Sequence, residues 1–430
     1  MSQVADSPVT RSNINIQGLQ QNTYVLAFLG ENANGILLWW TEKILASFLK
    51  HGLSSELIDL RDPGWNSQLN ARLSLGRPEF CFSFQGMGTA IQANDGSNFW
   101  ERTGIPFFTY LGDSPYHAPK HHAVEGRGMF LLYGCNDFFE MYQRFLNGRA
   151  YAGTLRYGYP ENSAADRTPW SKREHSVVFV KTGVDSEALR LKWADYPKRV
   201  SSILQETADL VLSGVDETVA TLCARVFAAQ PIHCGERREF FLFACSAVDY
   251  YVRALRAERM VAALMRHDAL IVGDWSHMDR SSARARFHAP IPADRLDDLY
   301  AESRIVVSTS PTVRYGIHER VMAGLLAKSA VLSDTTPFMQ NLLKDCPSFL
   351  GIDIDQPTFG EQVDSALSSF LADPASPAKV ESSAAVAGEL FSFDAFIQQL
   401  LDHVALEKHL RQLDWWTVTP PIQPARPTTI

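Results

Sequence analysis

The sequence predicts an α/β protein of two successive domains with a cleft between them. Three observations lead there. Short apolar runs alternate with helical stretches in both halves of the chain, the rhythm of parallel sheets covered by helices. A stretch rich in Pro, Ser and charge, residues 157–174 (YGYPENSAADRTPWSKRE), separates the halves as an interdomain linker. At 430 residues the chain is too long for one ordinary core.

In the first half, Tyr24–Leu29 is a strand, residues 30–35 (GENANG) a loop, Ile36–Lys50 an amphipathic helix and residues 56–60 a second strand, which makes one βαβ unit. Further strands are expected at Phe80–Phe84, residues 106–111 and residues 128–133. The GENANG loop is not a Walker motif, because neither Lys nor Ser/Thr follows its second Gly. Trp39 and Trp40 sit where a helix packs on a sheet. In the second half, residues 176–180 form a strand, residues 185–267 carry long helical patterns, and Ala269–Val272 is a strand. A short helix over residues 292–301 precedes a strand at 304–308, a loop at 310–316, a helix at 317–328 and a strand at 330–332. Residues 348–351 read as a last short strand, 372–383 as a loop and 391–413 as a terminal helix. Residues 1–22 are polar, and the last twelve residues hold four prolines, unsuited to helix or sheet. The domains are thus 1–170 and 171–390, followed by the terminal segment 391–430.

Composition narrows the function. A net charge of -8 argues against a general nucleic-acid binder. No apolar run reaches the about 18–20 residues that span a bilayer, and the N-terminus lacks a basic-then-apolar pattern, so a cytoplasmic protein is expected. The six cysteines form no CxxC pair and suit free buried thiols.

The polar residues of the second half gather at strand ends. Arg314, His318, Glu319 and Arg320 crowd the junction between a strand and a helix. In a parallel sheet that junction is the edge where ligands bind, and a helix start adds unpaired N–H groups. Lys181-Thr182-Gly183 and Gly273-Asp274-Trp275 follow two other strands and open on the same edge. Lys181 and Arg320 suit phosphate oxygens, backbone N–H groups near Gly316 suit the same anion, and Glu319 suits ribose hydroxyls. Trp275 is a candidate to flank a base. The plainer alternative is a surface charge cluster on a helix.

The order of a short helix PADRLDDLYAESR, a strand IVVS, a loop, Arg-Tyr-Gly-Ile-His-Glu-Arg-Val, a helix and a strand AVLSD resembles the donor domain of GT-B glycosyltransferases. It is most similar to the spore-maturation CgeB-like group, with Arg314, Gly316, Arg320, Val321 and Asp334 at matching positions. The resemblance covers about residues 268–350 and is weaker over 24–135. It implies two Rossmann-like domains facing a cleft, with a helical insertion in the second, a nucleotide-sugar donor bound there, an acceptor in the first, and the terminal helix of 391–430 crossing back to the first domain. No cofactor and no metal are implied, since such enzymes stabilise the leaving diphosphate with basic residues and helix dipoles.

The chain departs from that pattern at three places. Ala323 and Tyr315 stand where many retaining enzymes carry acids, and Lys328 stands where a Gly is usual. An inverting transfer is therefore expected, which needs a base in the first domain. Asp113 directly follows a strand and Gly112, and His117 lies one turn later. A turn-forming Asp before Ser-Pro is the simpler reading of Asp113. His117, His121 and His122 lack the Cys or acid partner of a zinc site. Two alternatives keep the fold: a nucleotide-sugar 2-epimerase, and a degenerate nucleotide-binding scaffold. A protein, a glycan and a small metabolite all remain possible acceptors.

Overall fold

The computed structural model describes residues 24–31, 35–124, 126–146, 148, 150–230 and 237–413. The expectations for residues 1–22, residues 32–34 of the GENANG loop, Cys234 and the proline-rich tail lie outside them. The chain forms two compact units. The first takes in the chain up to Gly134, Phe138–Arg156 and the chain from Phe396; the second is Cys135–Asp137 with Tyr157–Ala395.

The first unit is built on β1 (Tyr24–Leu29), β2 (Ser54–Asp59), β3 (Phe80–Phe84), β4 (Phe107–Leu111), β5 (Met129–Tyr133) and β6 (Tyr151–Thr154). They form one sheet, in the order β2-β1-β3-β4-β5-β6, and every pairing is parallel. β1, β3, β4 and β5 are buried along their whole length, so they read as unbroken apolar runs without alternation. Helix Ile36–Lys50 lays Trp40, Ile44 and Phe48 on that sheet at a spacing of four. Trp40 meets Phe84 edge-on at 5.6 Å, the packing role its position suggested. The helix Phe393–Gln412 contributes Phe396, which packs against Phe82 and Tyr110.

The second unit carries β7 (His175–Val180), β8 (Ala269–Val272), β9 (Arg286–His288), β10 (Ser303–Ser308), β11 (Ala330–Asp334) and β12 (Phe349–Ile352). The order is β12-β11-β10-β7-β8-β9, again all parallel. Numbered within the unit this is 3-2-1-4-5-6, the doubly wound arrangement whose order reverses between β7 and β10. Its core joins Val177, Phe179, Ile271, Val307 and Leu332 to Trp275 and Met260. Helices Lys198–Leu212, Val219–Ala229 and Arg238–Leu264 form the insertion between β7 and β8.

Two expectations are corrected. Residues 157–174 are not a free linker. Tyr159 N–H donates to Phe391 O, and the Trp170 indole donates to Arg304 O. Arg173 is buried and donates to the carbonyls of Ser303, Ala327 and Ala165 and to Ser329 Oγ. Residues 372–383 are not a loop: Ser376–Phe391 is a helix. Its Pro377 sits in the first turn, where a missing N–H is harmless. Proline and serine there marked a helix start, not a break.

Candidate functional site

Three loops meet at the carboxyl edge of the second sheet. Lys181 continues β7, and its N–H donates to Val272 O at the end of β8. The Trp275 indole N–H returns to Lys181 O at 2.7 Å, and Gly183 N–H donates to Asp274 O. Gly273 lies against this seam at φ 139°, and a Cβ there would stand 2.1 Å from Lys181 O. Only glycine fits. The Lys181 ammonium then spans the reversal point of the sheet to Thr309 Oγ1 at 3.2 Å, just beyond β10.

The strand-to-helix junction is fixed in the same way. Ser310 N–H donates to Asp334 Oδ1 at 2.5 Å. His318 caps helix Glu319–Leu326, its Nδ1 accepting Arg320 N–H at 3.2 Å. That bond places the imidazole proton on Nε2, 3.4 Å from Glu319 Oε2. Burial first, then the positive charges of Arg320, Lys181 and Arg253, hold His318 well below the usual imidazole range, so it is neutral. Burial, with Arg320 and Arg253 beside it, also pushes Lys181 down to about 7; Asp334 and Asp249 oppose this. Arg320 Nη1 is buried and meets no hydrogen-bond partner among the described residues. A buried guanidinium nitrogen without an acceptor is expensive. The grouping therefore suits an anion supplied from outside.

The predicted residues do not all join this grouping. Arg314 turns elsewhere: its guanidinium donates to Val215 O, and its Nε lies 3.8 Å from Asp216. It lines a cavity of about 280 Å³ with Ser310–Val313, Asp334–Thr336, Asp353 and Arg256. Trp275 is fully buried in the core, so its faces are closed to a base and it serves packing. Asp274 is exposed, and its carboxylate accepts Ser276 N–H at 3.0 Å, which lowers its pKa. Gly316 permits a close turn, since a Cβ would come within 2.8 Å of Val313. Glu319 is more than a third exposed in the first helical turn. Ala323 is buried, and Gly324 next to it faces the sheet with no room for a side chain against Val331. Arg253, on helix Arg238–Leu264, was not singled out by the sequence; its place among apolar residues at helical spacing gave no sign of its surroundings.

In the first unit, Asp113 follows β4 and is exposed. Its Oδ2 accepts the Gln85 amide at 2.9 Å, and Gln85 ends β3 in the left-handed region at φ 54°. His117 lies one turn on, its N–H donating to Ser114 O and its ring edge-on to Tyr116. His122 turns inward. It stacks on Tyr133 with Nδ1 3.1 Å from the hydroxyl, and burial pushes it down to about 3. The three histidines therefore do not share an orientation, and no group of three metal-ligating side chains gathers among the described residues.

No family model matches the chain, and no curated protein matches it by sequence. Solved structures do. A glycosyltransferase from Rickettsia africae aligns with a TM-score of 0.51 and 11% identity, over 90% of this chain and 99% of its own. The Anabaena protein HepE in complex with UDP aligns with a TM-score of 0.50 and 12% identity, over 89% and 100%. The two sheets are thus the two Rossmann-like domains of the GT-B fold.

Proposed function

We propose that the protein is a glycosyltransferase that moves a sugar from a nucleoside-diphosphate donor to an acceptor hydroxyl, with inversion and without a metal. The observation that carries this reading is the group of Lys181, Arg320 and the start of helix Glu319–Leu326 at the reversal point of the second sheet, with Arg320 Nη1 unsatisfied. A diphosphate supplies the missing acceptors, and the helix start adds N–H groups and a partial positive charge. That HepE was solved with UDP supports the same ligand class. In the reaction the acceptor oxygen bonds to the anomeric carbon, the bond from that carbon to the diphosphate breaks, and the hydroxyl proton passes to Asp113. Lys181 and Arg320 balance the charge that develops on the leaving diphosphate. Glu319 accepts the ribose hydroxyls in this reading, and the cavity beside Arg314 takes the rest of the nucleoside. His117 is the second candidate base. The absence of an acid at Ala323 and Tyr315 supports inversion. The CgeB-like group remains the family proposed, and a cytoplasmic location goes with it.

The test is release of free nucleotide from a panel of nucleotide sugars, alongside direct nucleotide binding. Turnover of at least one donor is expected. Arg320→Ala should weaken nucleoside-diphosphate binding about tenfold or more, the scale of one charge-assisted bond, with the fold intact. Binding of no nucleotide would overturn the reading, and binding without turnover would leave a nucleotide-binding scaffold.

A further inference from the structure

Helix Arg238–Leu264 of the insertion carries a polar triplet that meets loops at the carboxyl edge of the sheet. Asp249, Arg253 and Arg256 on helix Arg238–Leu264 are spaced four and three apart, so they share a side. Both ends of that triplet are anchored to loops at the carboxyl edge of the sheet. Asp249, almost wholly buried, accepts the Thr312 hydroxyl from the loop after β10. Arg256 pairs with Asp355 beyond β12 at 2.5 Å, with both side chains buried. Arg253 stands between the anchors and is a third exposed, its guanidinium 3.4 Å from Asp249 Oδ2. Thr312 lies three residues past Thr309, whose hydroxyl meets the Lys181 ammonium, so Arg253, through Asp249, and Lys181 are tied to the same loop. Burial first, then Arg320 and after it Arg253, lower the pKa of both Lys181 and His318. A buried carboxylate such as Asp249 persists only when well partnered, and here its partners tie the insertion to the ligand-facing loop.

We propose, resting on the donor reading above, that Arg253 is a third cation of the diphosphate site, positioned by Asp249, so that the helical insertion is part of the donor-binding machinery. Arg253 contacts the diphosphate oxygens, while Asp249 and Thr312 set the angle at which the helix meets the site.

The experiment measures binding of UDP, GDP, ADP and inorganic pyrophosphate to the full chain by calorimetry, with uridine, guanosine and adenosine as phosphate-free controls. Arg253→Ala should lose about tenfold or more for the preferred diphosphate, with the matching nucleoside unchanged. Arg253→Lys should recover part of the loss, and the alanine variant should show a shallower dependence on salt. Thermal unfolding checks the fold of each variant, and Arg253→Gln, which keeps the aliphatic stem and an N–H donor but removes the charge, replaces the alanine should that fail to fold. Unchanged affinity in Arg253→Ala while Arg320→Ala is weakened would overturn this inference and leave the donor reading standing. No binding of any diphosphate by the native protein would overturn both.

Discussion

Lys181 makes the proposed site sensitive to pH in a calculable way. Burial and two neighbouring arginines hold its ammonium down to about 7. A diphosphate bound beside it favours the charged form and returns the pKa toward the ordinary lysine value of about 10.4. Between those two values the free protein has lost the proton and the complex keeps it. Binding then takes up a proton, and raising the pH works against it. The slope approaches tenfold per pH unit, about 1.4 kcal/mol. From about pH 7.5 to about pH 8.5 the expected loss of affinity is roughly eightfold, in a window where a terminal phosphate with its second pKa near about 6 no longer titrates. Calorimetry in buffers of different ionisation enthalpy should register close to one proton taken up near about pH 8. Lys181→Met should bind more weakly and show neither the slope nor the uptake. A flat affinity across that window would refute the reasoning, as would the same slope in Lys181→Met. The same depressed pKa has a consequence for folding. The unfolded chain binds a proton that the folded one has lost, so this lysine's contribution makes stability rise with pH above about 7.

Gly273→Ala places a Cβ 2.1 Å from Lys181 O at a positive φ. It should lower stability by about 2 kcal/mol or more, read by denaturant unfolding, and weaken nucleotide binding with it. Arg173→Leu removes a buried donor set that serves four carbonyls and a hydroxyl, and a loss of roughly 3 kcal/mol is expected; a midpoint within error of the native one would show that residues 157–174 are not structural. Asp113→Asn should reduce turnover by about a hundredfold or more while leaving nucleoside-diphosphate affinity unchanged; retained turnover moves the base assignment to His117. Lys328 sits at φ 56°, so Lys328→Gly should be more stable than Lys328→Ala by about 1 kcal/mol, the reverse of the order in an ordinary helix.

The strands of both sheets were legible because parallel strands buried on two faces are written as continuous apolar runs, and such runs have few other uses. Phe80–Phe84 and Ala269–Val272 are visible for that reason. β6 and β9 escaped because Tyr151–Thr154 and Arg286–His288 are short, partly exposed edge strands. The site was half legible. Gly273 and Lys181 directly follow strands and Arg320 opens the helix after β10, and such junctions carry function in this fold class. Trp275 stands there too, yet its side chain turns into the core, and nothing in the local order of residues distinguishes the two directions. Arg253 was hidden for the opposite reason. It is far from any strand end in sequence, and helical spacing reveals which residues share a face without revealing what that face meets. Lys328 shows how a departure from a family pattern can mislead. A glycine is usual there because the turn before β11 needs a left-handed residue, and this chain keeps that conformation with a lysine tied to Asp166 and Glu381. Its substitution therefore bears on backbone strain, not on chemistry. Ala323 differs: its side chain is buried, so an acid at that place would have to be accommodated in the interior. The missing acid at 323 is thus a property of how helix Glu319–Leu326 packs, and it is this packing, more than the absent charge, that directs the search for the acceptor's base to Asp113.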